Sequence, residues 1–249
     1  MSYLLAIDSG NTTIKWGLHN GNDWHERGIV AQNQRLLLSQ IWQDVPEPSA
    51  IIVSNVAGSS AEAALLNLFA IWKAIPHWIS ATAYQCGVRN HYSNPAQLGS
   101  DRWAALIAAW RMRQQGCLVV NVGTAMTVDT LSDRGEFLGG IILPGFNLMK
   151  QALANQTALL TLKEGRFQDF PVNTADAIHS GVVHALTGAL DHMYTLLSAN
   201  LGRDTLNCII SGGGAALLLP YIKIPTMIVD YLVLEGLKVI AQEKSEIVQ

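Results

Sequence analysis

The residues best placed to do chemistry begin where the apolar run Leu4-Leu-Ala-Ile7 ends in Asp8 and continues as Ser9-Gly-Asn-Thr-Thr-Ile-Lys15. This content suits an anion, phosphate above all. Gly10 lets backbone N–H groups approach an oxygen with no Cβ in the way, Asn11, Thr12 and Thr13 supply neutral donors, and Lys15 adds a cation. Asp8, at a strand end, can hold a water or a Mg²⁺ that itself binds phosphate oxygens. A polar hairpin turn closed by Asp and Asn side chains accounts for the same residues without any ligand.

A second group is Gly99-Ser-Asp-Arg102. Trp103, Leu106, Ile107 and Trp110 follow at helical spacing, so a helix is predicted to run to about Gln115 and stop at Gly116, with Ser100 and Asp101 at its N-terminus. Asp101 reads either as a first-turn carboxylate that stabilises the helix by about 1 kcal/mol, or as a general base that directs a substrate hydroxyl at a γ-phosphate. The helix N-terminus would keep it ionised and lower its basicity. Arg102 can pair with a substrate carboxylate or a migrating phosphoryl group, or stand as a solvated first-turn cation.

A third group repeats the first. In Leu118-Val-Val-Asn-Val-Gly-Thr-Ala-Met-Thr-Val-Asp129, Asn121-Val122-Gly123 falls on Asp8-Ser9-Gly10, and Thr124 follows. Two weakly similar halves, each opening with strand, turn and strand, mark a duplicated fold whose two tips face one another across a cleft.

The elements that must hold these groups alternate between strand and helix. Tyr3 to Gly17 reads as a β-hairpin, Ile29 to Ile41 contains a short helix, and Ala50 to Val56 is a buried strand before a helix from Ala61 to about Lys73. Cys86 to Asp101 lacks a clean period and reads as a loop. After the strand through Met126 to Leu131 comes a turn at 132–135, then a Gly-rich strand through Gly139 and Gly140 to Pro144, where the glycines allow either a close approach of backbone to ligand or, the simpler reading, a strand bulge, and a helix from about Phe146 to Leu159. The longest helix begins around Thr174, a good N-cap, and runs to about Leu201 before Gly202. Its His179, His184 and His192 lack metal-ligand spacing. Leu206 to Ser211 is a strand leading into Gly212-Gly-Gly214 and a helix from Ala216. Strands of both directions with covering helices predict an α/β fold with mixed sheets.

The 249 residues are 49% hydrophobic, enough for a substantial core, and a formal net charge of −3 with no basic cluster argues against a nucleic-acid surface or an anionic membrane partner. Cys86, Cys117 and Cys208 are scattered, without zinc or disulfide spacing, which fits a reducing cytoplasm. Neither a signal peptide nor an uncharged span of bilayer length is legible, so a soluble protein is expected.

The order and content of these motifs resemble the acetate and sugar kinase and actin superfamily, and within it the type III pantothenate kinases. The resemblance covers nearly the whole chain. It implies two duplicated ribonuclease-H-like halves, at 1–115 and 116–249, with ATP between them, and transfer of the γ-phosphoryl of ATP to pantothenate, giving 4′-phosphopantothenate, the first step toward coenzyme A. It places ATP and Mg²⁺ on Asp8, Ser9, Gly10, Asn11, Thr12, Thr13, Ile14, Lys15 and Thr124. Pantothenate falls on Tyr92, which lies in a Tyr-x-x-Pro context with Pro95, on Gly99, Ser100, Asp101 and Arg102, and on Thr174; Asp101 is the implied proton acceptor. A homodimer with pantothenate near its interface is implied as well. The family associates a monovalent cation, K⁺ or NH4⁺, with an Asp where this chain has Asn121, whose amide oxygen can coordinate but lacks the charge. Gly214 stands where the family commonly has Asp. These departures keep two alternatives in view: a kinase for another small hydroxyl compound, and a catalytically weak accessory protein that regulates by association.

Overall fold

The computed structural model describes residues 2–157, 163–203 and 206–247 and forms two compact units, Met1–Gln114 with Tyr231–Gln249, and Gln115–Asp230. The first unit opens with the expected hairpin, β1 (Leu4–Ser9) and β2 (Thr13–His19), extended by β3 (Trp24–Ala31). The short helix expected before Ile41 is a 3-10 turn at Gln32–Leu37 running into α1 (Leu38–Ile41). Then come β4 (Ala50–Asn55), α2 (Ser59–Phe69) and β5 (Pro76–Trp78). The segment read as a loop from Cys86 contains part of a small antiparallel hairpin, β6 (Tyr84–Gln85) and β7 (Val88–Asn90), turned by Cys86 and Gly87, both at positive φ. Strands of two and three residues are too short to show alternation, so no period marks them. The unit's long helix α3 (Ser100–Arg113) starts where Gly99-Ser100-Asp101 predicts.

The sheet order is β3-β2-β1-β4-β5, antiparallel through β3, β2 and β1 and parallel from β1 to β4 and β5. Leu5, Ile7, Ile14, Trp16 and Leu18 alternate onto one face and build a core with Ile51, Val53, Leu65 and Phe69. Trp42 stacks on Phe69 and meets Trp16 edge-on.

The second unit holds β8 (Cys117–Val122), β9 (Ala125–Leu131), β10 (Glu136–Pro144), α4 (Phe146–Gln156), α5 (Thr174–Leu201), β11 (Asn207–Ser211), α6 (Ala215–Leu218) and β12 (Thr226–Ile228). Its strands run β12-β11-β8-β9-β10, with β8, β9 and β10 antiparallel and β8, β11 and β12 parallel. This repeats the first unit's order and directions strand for strand. Val182, Val183, Leu186, Leu190 and Leu197 of α5 pack on Leu118, Val120, Val122, Met126 and Val128. The register shift between Phe137 and Gly139 is the bulge expected of the Gly-rich strand. The predicted end of α4 at Leu159 lies outside the described residues.

The chain then returns to the first unit as α7 (Leu232–Ile247), so the expected halves, 1–115 and 116–249, differ from the observed units at the C-terminus. Gly236 permits this, because a Cβ there would overlap the carbonyl of Ala104 on α3. Among the described residues no helix is long and apolar enough to cross a membrane, and no His, Cys, Asp or Glu cluster could hold a metal ion unaided.

Candidate active site

The parallel pairing of β1 with β4 sets the geometry. It puts Asp8 in register with Ser54 at the C-terminal ends of the two strands, and the antiparallel pairing with β2 puts Lys15 on Asp8's other side. Ser54 is fully buried, and its Oγ lies 2.9 Å from Oγ of Ser100, the first residue of α3. One hydroxyl pair thus fixes the helix N-terminus beside the strand end that carries Asp8.

Asp101, in the first turn, accepts a hydrogen bond from the backbone N–H of Arg102 at 2.8 Å. Arg102 is buried; its Nη1 donates to Tyr92 Oη at 3.2 Å, and its guanidinium lies 5.9 Å from the Tyr92 ring centroid. The Asn90 side chain accepts from the N–H of Tyr92 and donates to the carbonyl of Pro95, which holds the Tyr-x-x-Pro turn in shape.

Burial pushes the Asp8 carboxyl up to about 7, with the Asp101 charge adding to the rise and Lys15 opposing it. Asp101 is also raised, by burial first, against the opposing pull of the Arg102 amide and charge. This corrects the sequence-based expectation that the helix N-terminus lowers its basicity: desolvation outweighs the dipole. Two carboxylates that feel each other, beside a lysine and an arginine, make a site whose charge is balanced by a polyvalent cation or by a proton.

The hairpin tip has a stiff base and an open crown. Gly10 donates to the carbonyl of Thr13, Gln32 donates from its backbone to the carbonyl of Thr12, and its side-chain Nε2 donates to Ser9 Oγ and to the carbonyl of Gly10. The N–H of Gly10 and the buried Ser9 hydroxyl are therefore engaged internally, and the Ile14 side chain belongs to the core. Asn11 and Thr12 are exposed, and Thr13 and Lys15 are half-buried. Sequence reading overlooked Ser54 and Gln32. Ser54 had a signal, a polar residue closing an apolar strand as Asp8 does; Gln32 had none.

In the second unit Asn121 occupies the place on β8 that Asp8 occupies on β1, and its register partner on β11 is Ser211, as Ser54 is to Asp8. Gly212, at φ 100°, makes the following turn, where a Cβ would lie 2.7 Å from Asn121 Oδ1. Gly214 donates to the carbonyl of Val122, and a Cβ there would approach Val122 Cγ1 to 2.8 Å. Gly123 and Thr124 are exposed at their tip. Thr174 is not the cap of α5: Asn173 is, its side chain accepting from the N–H of Asp176, and Thr174 is the exposed first helical residue. His179 and His184 make ring contacts with Phe146 and Phe167.

The profile of the type III pantothenate kinase family matches residues 4–196, most of the chain. The chain belongs to the type III pantothenate kinase family. It is 57% identical over 244 residues to the type III pantothenate kinase of Nitrosomonas eutropha, covering 97% of this chain and 95% of that one, and 54% identical over 243 residues to that of Nitrosospira multiformis, covering 98% and 92%. Among solved structures, MreB5 of Spiroplasma citri bound to AMPPNP is similar over 100% of this chain and 98% of its own, with a TM-score of 0.54 at 11% identity. That likeness shows the actin-like fold of this pantothenate kinase family member. It agrees with the duplicated sheets.

Proposed function

We propose that this chain transfers the γ-phosphoryl group of ATP to the primary hydroxyl of pantothenate. Family membership supports the reaction. The observation that carries the assignment of residues is the meeting of Asp8 with the α3 N-terminus bearing Asp101 and Arg102.

In this reading Asp101 hydrogen-bonds the pantothenate hydroxyl, aims its oxygen at the γ-phosphorus and takes up its proton as the new bond forms. Its raised pKa favours that role, since a more basic carboxylate holds the proton better. Arg102, oriented by Tyr92, pairs with the carboxylate of pantothenate or with the transferring group, and Gly99 and Ser100 are further pantothenate contacts on the same turn. Asn11, Thr12, Thr13 and Lys15 bind phosphate oxygens, while Ser9, Gly10 and Ile14 serve through backbone and shape. Thr124 is the ATP contact of the second unit, and Thr174 a further pantothenate contact. The buried, ionisable Asp8 fits Mg²⁺ held through water, and the metal would supply charge neutralisation at the phosphates. Asn121 is the proposed monovalent-cation residue, with K⁺ or NH4⁺ bound less tightly than by a carboxylate.

A homodimer in the cytoplasm completes the proposal. Leu148 and Leu153 of α4 are exposed, and Phe170 and Val172 are 90% and 96% exposed, apolar surface that a second copy would cover. The deciding experiment is an ATP-dependent phosphorylation assay on purified protein with pantothenate. Asp101→Asn should lose turnover by about a hundredfold or more while keeping its fold. An unchanged rate in that variant removes Asp101 from its role.

A further inference from the structure

The first unit contains a cavity of about 250 Å³ away from the candidate active site. It is bounded by the β2–β3 turn at His19 and Asn22, the last turns of α3 at Arg111 and Met112, and α7 at Lys238 and Val239. His19 pairs with Leu4 at the opposite end of the β1–β2 hairpin from Asp8. Arg111 lies ten residues along α3 from Asp101, about 15 Å at 1.5 Å per residue. A ligand here occupies a separate site.

Its charged lining is two cations, Arg111 and Lys238, against one carboxylate, with the amide side chains of Asn22 and Gln242 and the His19 ring beside them. Glu235 also borders the cavity, but its Oε1 accepts from Trp24 Nε1 at 2.6 Å and its Oε2 takes Lys238 Nζ at 2.5 Å, so both oxygens have strong partners. Lys238 keeps its remaining protons. Arg111 is exposed, and its five N–H donors make no ion pair among the described residues. His19 is buried, edge-on to Trp24, and its Nδ1 accepts from the N–H of Gly21 at 3.1 Å. Its proton therefore sits on Nε2. Burial and the Lys238 charge hold the ring below the usual histidine range, opposed by Glu235, the exposed Asp23 and a hydrogen bond to the Asn22 backbone. Asp23 does not line the cavity, and water screens it. Met112 and Val239 supply apolar wall.

We propose that this cavity binds a small organic oxyanion, a carboxylate or phosphate on a short carbon skeleton, gripped by Arg111 and Lys238 with its apolar part against Met112 and Val239. The volume falls below that of drug-sized sites, which limits the ligand to a small metabolite. Arg111 supplies the uncompensated charge, Lys238, although paired with Glu235, supplies further N–H donors, and the apolar wall takes the carbon skeleton. The proposal does not depend on the catalytic assignments above.

The test titrates the purified protein with inorganic phosphate and, separately, with propionate, at ionic strength held constant with chloride, reading the melting temperature. At least one probe should raise it with a saturating dose dependence, and the better probe tells phosphate from carboxylate. Arg111→Gln and Lys238→Gln should each weaken the apparent affinity by about tenfold, the loss of one charge-assisted pair, with kinase turnover unchanged. Binding at the hairpin tip would survive both substitutions, so a full response in both variants overturns the proposal. So does the absence of any response to either probe in the parent protein.

Discussion

Asp8 shows at the scale of one residue how a site is maintained against stability. Its carboxyl is near 3.8 in the unfolded chain and about 7 when folded. Between those values the folded protein holds a proton that the unfolded chain has released, so stability falls as pH rises from about 4 to about 7 and the full cost is present above 7. Asp8→Asn removes the charge and keeps the shape. Its melting temperature should exceed the parent's at pH 8, and the gap should close near pH 4, where the parent's carboxyl is protonated in both states. A thermal melt series across that range checks this, and no gain at pH 8 would mean that the carboxylate is compensated in the free protein. The same variant should lose turnover, because the charge that burdens the fold is the one proposed to hold Mg²⁺. In the parent, proton and metal compete for one carboxylate. The Mg²⁺ concentration giving half-maximal turnover at saturating ATP should then rise as pH falls below 7.

The element that couples the two carboxylates is α3, and the Ser54–Ser100 hydroxyl pair locates it. Ser54→Ala would leave the Ser100 hydroxyl buried without that partner, at about 1–3 kcal/mol, and would free the first turn to shift. The expected result is a severalfold drop in kcat with KM for ATP little changed, since the hairpin tip is braced separately by Gln32. An equal loss in both parameters would point instead to general loosening of the unit. Much of this element was legible in the sequence, because the signals are local: Gly99 before Ser100, then apolar residues at helical spacing. What was not legible depends on residues far apart in the chain. Ser54 meets Ser100 across 46 positions and Gln32 reaches Ser9 across 23, and no periodicity reports either. The basicity of Asp101 was misjudged for the same reason, since the dipole can be read from a helix start but burial cannot. At α5 the error was one residue. Asn173 and Thr174 both carry a capping oxygen, and only the observed backbone shows that Asn173 takes the N–H of Asp176.

For the molecule as a whole, the duplication of sheet order was visible in two short motifs, whereas the return of the chain was not. The family profile ends at residue 196, before α7 begins, yet α7 packs on the helix that carries Asp101. Its amphipathic sequence only says that one face is buried; which unit buries it depends on where the chain can reach. The close approach of Gly236 to Ala104, one turn after Asp101, makes this packing intolerant of added volume. Gly236→Val would force α3 and α7 apart at about 2–3 kcal/mol for an overpacked contact, a fall of roughly 5–10 °C in melting temperature for a protein of this size. The shift would be transmitted to the first turn of α3, so kcat should drop even at temperatures where the variant remains folded. Thermal melts and turnover at 25 °C, taken together, measure both effects. A variant that melts like the parent would show that α7 is not held against α3 in solution, and one that melts low but turns over normally would show that the helix N-terminus keeps its position without it.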